Sequence, residues 1–319
     1  MRHALSLLLA TLLISPALAQ EPKAKAQNQP AGNPTLLEKI NVETDVEYAK
    51  AGDVSLKLDI YRPKADSTKV RPVIVWIHGG GWQGGNKSSG RGLVGPFVAS
   101  GNYVGVSVGY RLTDIAAFPA QIHDSKAAIR YVRANAAKLG IDPNKIGVWG
   151  ASAGGHLVSL LGTSGDVKEL EGNLGTTGVS SRVSCVVDYC GPSDFPNFEI
   201  TDGARVPITK LLGGLPKDAP EMAKLASPIT YITKDDAPFL IVHGTNDATV
   251  PFDQAVRFYD AQKKAGLDTT FVKIEGGGHA FGGPEITARV AAFFDKHLLG
   301  KDVRVSEEPI KAPPPAEKK

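Results

Sequence analysis

Residues 145–156, KIGVWGASAGGH, decide how this chain is read. Apolar Ile146, Val148 and Trp149 lead into Gly150-Ala151-Ser152-Ala153-Gly154, and a segment able to form a helix follows. A strand that turns sharply into a helix, with a serine at the bend, pushes a hydroxyl out of the backbone where it can act as a nucleophile. Gly150 and Gly154 suit such a bend because larger side chains would collide across so tight a turn. A five-residue match of this kind also arises by chance. Its weight depends on whether the rest of the chain supplies a base, an acid and oxyanion donors in compatible places.

Working outward, residues 73–77 (VIVWI), 103–108, 146–149, 183–189 and 239–242 (FLIV) are nearly continuous apolar runs. Such runs suit parallel strands covered on both faces. Residues 45–49 and 56–61 instead alternate apolar and polar side chains, as half-exposed antiparallel strands do. Residues 119–139 carry Ile122, Ala127, Ile129, Val132 and Leu139 at helical spacing, with Asp142-Pro143 following as a turn. Further helices are predicted over 251–265 and 284–299, and a last strand over 269–274. This alternation predicts an α/β fold: an open, mostly parallel sheet of about eight strands, helices on both faces and catalytic groups at the carboxyl ends of the strands. Residues 194–228, rich in glycine, proline and charge, read as an irregular cap over the site.

The 319 residues are 42% hydrophobic, enough for a sizeable core, and 36 basic against 33 acidic residues give a net charge of only +3. So mild and evenly spread a charge gives no footing for nucleic acid or an anionic membrane. Arg2 and His3 precede an apolar run that closes on Ala17-Leu18-Ala19. The run is too short to span a bilayer, so residues 1–19 read as a secretory signal cleaved after Ala19, and the chain as secreted or periplasmic. Residues 20–35 read as a flexible leader, 36–300 as the folded domain and 301–319 as a disordered tail. The two cysteines, Cys185 and Cys190, would lie roughly 16 Å apart along an extended strand, beyond disulfide reach. Both are expected to be reduced and mostly buried.

His78-Gly79-Gly80-Gly81-Trp82 directly follows the VIVWI run. Consecutive glycines leave backbone N–H groups unobstructed and free to converge, which is what a developing oxyanion requires. Of the seven histidines, His3 leaves with the signal and His297 falls on a helix face toward solvent. His78 is expected to hold the glycine loop, His123 to pair with Asp124, His156 to point along its helix, and His243 to pack or cap at a strand end. His279, within Gly276-Gly277-Gly278-His279-Ala280-Phe281, lies on a glycine loop after the last strand and is the candidate base. Asp247 follows the FLIV strand and is the candidate acid, fixing the imidazole tautomer. Asp194 reads as a turn residue and Asp253 as a helix cap. The order Ser152, Asp247, His279 matches that of α/β-hydrolases.

The sequence resembles the HGGGW-type carboxylesterase and hormone-sensitive-lipase-like group of α/β-hydrolases, and within it the exported xylan (acetyl or feruloyl) esterase type. The resemblance rests on HGGGW at 78–82, YRL at 110–112, FPAQIHD at 118–124, the run from 128 to 157, ASPITYI at 226–232 and HGTNDATVP at 243–251. It implies Ser152 as nucleophile, His279 as base and Asp247 as orienting carboxylate, with the amides of Gly80, Gly81 and Ala153 as oxyanion donors. It implies a small-molecule or polysaccharide ester as substrate and neither metal nor organic cofactor. A general carboxylesterase or lipase-like hydrolase, a peptidase-like hydrolase and a non-catalytic binding module remain alternatives. Trp82 and Tyr110, with Phe118 and Phe281, are candidates for lining the acyl or alcohol pocket.

Overall fold

Alternate residues of the VIVWI run face two different cores. In the computed structural model, which describes residues 34–65 and 68–313, Val73, Val75 and Ile77 pack on one side of the sheet and Ile74 and Trp76 on the other. This is the physical reason the run carries no polar residue: as an interior strand it has no solvated face.

The helix α1 (Pro34–Lys39) leads into the strands β1 (Ile40–Ala51) and β2 (Val54–Pro63), which pair antiparallel. β3 (Arg71–Ile77), α2 (Gly90–Ala99), β4 (Val104–Val108), α3 (Ala120–Ala134), α4 (Ala136–Leu139) and β5 (Ile141–Ala151) follow. Then come α5 (Ala153–Thr163), α6 (Lys168–Glu171), β6 (Cys185–Tyr189), α7 (Asp202–Leu212) and α8 (Pro220–Leu225). β7 (Phe239–Gly244), α9 (Asp253–Lys264), β8 (Thr269–Glu275), α10 (Pro284–Leu299) and β9 (Ile310–Lys311) complete the order. Among the described residues the sheet has nine strands in the order β1-β2-β4-β3-β5-β6-β7-β8-β9. It is antiparallel at β1–β2–β4 and parallel from there on. Val94, Phe97 and Val98 of α2 and Val290, Phe293, Phe294 and Leu298 of α10 cover one face. Residues of α3, α5, α7 and α9 cover the other.

Four sequence expectations change. The predicted helix over 119–139 breaks at Asn135, whose Nδ2 donates to Tyr131 O at 2.9 Å, and resumes as α4. The Asp142-Pro143 turn lies inside β5 as a bulge: Arg71 pairs with Ile141 and Val73 with Ile146, while Asp142 Oδ1 accepts from Asn144 N–H. Residues 194–228 are not irregular throughout, since they contain α7 and α8. Thr201 caps α7 by accepting from Ala204 N–H, and the internal Gly203 and Pro207 hid the helix from a periodicity reading.

The fourth change concerns the predicted disordered tail, which belongs to the fold as far as Pro313. Val305 and Ile310 are buried in the core on the α10 side, and β9 adds to β8 with Ile274 opposite Ile310. Two well-placed apolar residues suffice there, and average composition hides them. The expected signal segment, most of the leader and residues 314–319 lie outside the described residues. Among the described residues no helix is long and apolar enough to cross a membrane. Cys185 and Cys190 are both free and buried.

Candidate active site

Ser152 sits between β5 and α5 with φ 55° and ψ −119°, a conformation that side-chain-bearing residues adopt only when their surroundings enforce it. The surroundings do. A Cβ on Gly150 would stand 2.2 Å from Gly154 O, and one on Gly154 would stand 2.1 Å from Ile77 O at the end of β3. The two glycines let α5 start against the backbone of the neighbouring strand, and Ser152 N–H donates to Tyr189 O at 2.7 Å to close the bend.

His279 Nε2 lies 2.9 Å from Ser152 Oγ, and its Nδ1 lies 2.7 Å from Asp247 Oδ2. Three side chains from three loops at the carboxyl ends of β5, β7 and β8 therefore form one continuous hydrogen-bonded chain. Asp247 Oδ1 accepts the N–H groups of Thr249 and Val250 at 2.8 and 2.9 Å. Burial alone would raise its carboxyl, but hydrogen bonds from His243 and His279 and the Val250 amide outweigh burial and hold it well below the ordinary carboxylate range.

The HGGGW loop runs alongside. A Cβ on Gly79 would meet Ala151 O at 2.7 Å and Ser152 Cβ at 3.4 Å, so the loop backbone is pressed directly against the serine bend. Gly80 and Gly81 have φ of 115° and 59° and line the same pocket as Ser152 and His279. Ala153 is the first residue of α5, where a helix leaves its amide without an intrahelical partner.

The pocket over the serine has a volume of about 470 Å³. Gly203, Ala204, Pro207 and Ile208 of α7 form one wall, with Trp82 and Phe198 beside them.

A family model described as BD-FAE matches residues 58–262, from β2 to α9. The chain belongs to the BD-FAE family. Among curated relatives of this BD-FAE chain, esterase LipC of Mycobacterium tuberculosis is 32% identical over 72% of the chain and 58% of LipC. The probable carboxylic ester hydrolase LipM of the same organism is 34% identical over 67% of the chain and 52% of LipM. The chain thus spans little more than half the length of these two relatives. A solved structure titled a truncated carbohydrate esterase from gut microbiota is 36% identical, with a TM-score of 0.75 over 81% of this chain and 96% of that one. Esterase Est2 of Thermogutta terrifontis is 30% identical, with a TM-score of 0.69 over 84% of this chain and 96% of Est2.

The other histidines of the BD-FAE chain have separate duties. His156 is fully buried: its Nδ1 accepts from Trp82 Nε1–H at 3.2 Å and its Nε2–H donates to Ala226 O at 2.7 Å. Burial pulls its pKa down to about 4, so the ring is neutral and fixes Trp82 in the pocket wall. His78 stacks on Tyr110 with ring centres 4.3 Å apart. His123 does not pair with Asp124, which instead takes a bidentate contact from Arg111; His123 Nε2 lies 3.0 Å from Glu169 O. His297 packs on Phe293 rather than standing in solvent.

Asp194 accepts from Asn197 Nδ2, as a turn residue does. Asp253 is the first residue of α9, after the N-cap Phe252; its Oδ1 finds no partner among the described residues and its Oδ2 pairs with Arg257 one helical turn on.

Of the candidate pocket residues, Trp82 lines the cavity but Tyr110 does not. Tyr110 is buried behind the loop, donates from its hydroxyl to His78 O at 2.9 Å and lines a separate cavity of about 370 Å³. It supports the loop. Phe118 packs toward His156 and Phe281 against Tyr189, whereas Phe198, which the sequence reading passed over, faces the site. Cys190 also lines the pocket, and burial together with the charges of Asp247 and Asp188 pushes its thiol pKa up.

Proposed function

We propose that this chain is a serine carboxylic-ester hydrolase working through an acyl-enzyme on small acyl esters, such as acetyl or feruloyl groups of plant polysaccharide. The observation that carries this is the unbroken path from Ser152 Oγ through His279 to Asp247 at the floor of a pocket walled by apolar residues of α7.

In this mechanism His279 Nε2 takes the proton of Ser152 as Oγ attacks the acyl carbonyl, and Asp247 stabilises the imidazolium that forms. The amides of Gly80, Gly81 and Ala153 would receive the oxyanion; the pressure of the loop against the serine bend supports placing them there. His279 then gives its proton to the departing alcohol. Water, deprotonated by the same nitrogen, releases the acid.

The pocket, of about 470 Å³, has room for an acyl group up to feruloyl size together with part of its alcohol. Similarity to a protein titled a carbohydrate esterase supports the substrate class. Export through the N-terminal signal belongs to the same reading, and the mass of the mature protein tests it, with Gln20 expected as the first residue.

Ser152→Ala should abolish p-nitrophenyl acetate hydrolysis while the protein stays folded; near-normal activity would sink the assignment. Rates on acetylated xylan, methyl ferulate and a peptide anilide separate the substrate classes. A preference for the anilide would favour peptidase action.

A further inference from the structure

Cys190 has no step in the reaction outlined above, yet its thiol stands against both the acid and the base. One ligand atom each from Cys190, Asp247 and His279 lie within 4.8 Å of one another. The backbone fixes the cysteine there: its φ is 43°, its N–H donates to Val242 O at 2.9 Å, and its Sγ is 3.6 Å from His279 O. Both Cys190 and His279 line the open pocket, so a small ion has a path to them.

The donor set is chemically selective. A thiolate, an imidazole and a carboxylate together suit borderline-soft divalent cations and disfavour Mg²⁺ or Ca²⁺, which take oxygen ligands. Tetrahedral Zn²⁺, with bonds of about 2.0–2.3 Å, separates its ligand atoms by roughly 3.3–3.8 Å. To reach that spacing the widest separation closes from at most 4.8 Å and the Asp247–His279 contact opens from 2.7 Å, changes of roughly 0.5–1.5 Å. A carboxylate and a thiolate would also neutralise both charges of the ion.

We propose that Cys190, Asp247 and His279 form an inhibitory site for a thiophilic divalent cation of the Zn²⁺ or Cd²⁺ type. The inhibitory part rests on the reading of Asp247 and His279 as acid and base. Binding forms a metal–sulfur, a metal–oxygen and a metal–nitrogen bond and releases one proton, that of the Cys190 thiol, to solvent. A water completes the tetrahedron.

Because His279 Nδ1 is the nitrogen that faces Asp247, the ion binds there; the ring proton moves to Nε2, which then donates to Ser152 and cannot act as base.

The test uses CdCl₂ on the full chain with two readouts. Ultraviolet absorption of the thiolate–Cd²⁺ bond, titrated on the Ser152→Ala protein, should saturate at one ion per chain. It should be absent from Cys190→Ser in the same background. The only other thiol, Cys185, is fully buried in β6, so the band is assigned by that loss. In the Ser152-containing protein, the Cd²⁺ concentration that halves activity should rise at least tenfold in Cys190→Ser, each variant measured against its own uninhibited rate. Cys190→Ala repeats both measurements should the serine variant fold poorly.

Absence of the band in Ser152→Ala, or equal inhibition with and without Cys190, overturns the proposal. A Ser152→Ala protein that keeps full activity would overturn the hydrolase reading instead, and the band would still report on the cation site.

Discussion

His243 Nε2 lies 3.1 Å from Asp247 Oδ2, the same oxygen that His279 Nδ1 meets at 2.7 Å. One carboxylate oxygen is therefore held by two imidazoles, while the other takes two backbone amides. The Nε2–H of His243 is shared with Val250 O at 3.0 Å, so a single donor ties together both ends of the turn that carries Asp247. His243 is fully buried, and its Nδ1 finds no partner among the described residues.

On the proposed reading of Asp247 as the acid, this arrangement makes His243 its positioning residue. A hydrogen bond to a charged group is worth about 1.5–3 kcal/mol, so His243→Phe should lower kcat by roughly ten- to a hundredfold. KM should stay near its original value, because the ring does not reach the pocket. His243→Gln keeps an N–H donor and should recover part of the loss. A merely structural role would change stability and leave the kcat of the folded fraction intact.

Asp247→Asn probes the next link. The amide retains an acceptor for the Thr249 and Val250 N–H groups, so circular dichroism should show a native fold. Its NH₂ group, however, would face His279 Nδ1 and stabilise the tautomer that carries its proton on Nε2. In serine hydrolases with this arrangement such a change costs about 10⁴-fold in kcat. A loss of less than tenfold would show that Asp247 does not orient the base.

The serine bend predicts a steep contrast between two Gly→Ala changes. A Cβ at position 154 would meet backbone atoms at and just after the end of β3, Ile77 O at 2.1 Å and His78 O at 2.7 Å, and neither can swing aside. Gly154→Ala should therefore cost about 3 kcal/mol or more, read as a lowered urea midpoint. Gly52, with φ 60° in the β1–β2 turn, has nothing within 4 Å of the added Cβ. Gly52→Ala should cost only about 1–2 kcal/mol, the intrinsic penalty of a left-handed residue. Equal midpoints would show that contact with β3 does not shape the bend.

The meeting of Ser152, Asp247 and His279 was legible because each follows an apolar strand and carries a distinctive neighbourhood, and strand order alone brings their loops to one edge of the sheet. What the sequence concealed depends on side-chain aim. Nothing in FLIVHG tells whether His243 turns toward the core or toward Asp247 four residues on. Arg111 takes Asp124 from His123 because the YRL segment folds back over α3, a tertiary event with no local signal. Tyr110 and Phe198 are both aromatic residues near loops, and only the path of the chain decides that the first supports the glycine loop from behind and the second faces the pocket. β9 was hidden because two apolar residues in a charged, proline-rich stretch carry no periodicity.

Two buried groups beneath the site oppose each other in their response to pH. Burial lowers the pKa of His156 from 6.5 to about 4, so the unfolded chain binds a proton that the folded chain refuses, and stability rises with pH between about 4 and 6.5. Asp188, in β6, accepts from Ser159 Oγ and Gly191 N–H, yet burial still raises its carboxyl from 3.8 to about 6. The folded chain therefore holds a proton that the unfolded chain has lost, and stability falls as pH rises through the same window. Each shift corresponds to about 3 kcal/mol, so in the wild type the two contributions oppose each other. Asp188→Asn removes only the falling contribution. Its unfolding free energy, measured in urea, should climb by about 2–3 kcal/mol from pH 4.5 to 6.5 relative to the wild-type curve. The converse change, His156→Gln, should make stability fall over that range, with loosening of Trp82 visible as altered tryptophan fluorescence. Parallel curves for all three proteins would mean that neither group titrates differently in the folded chain.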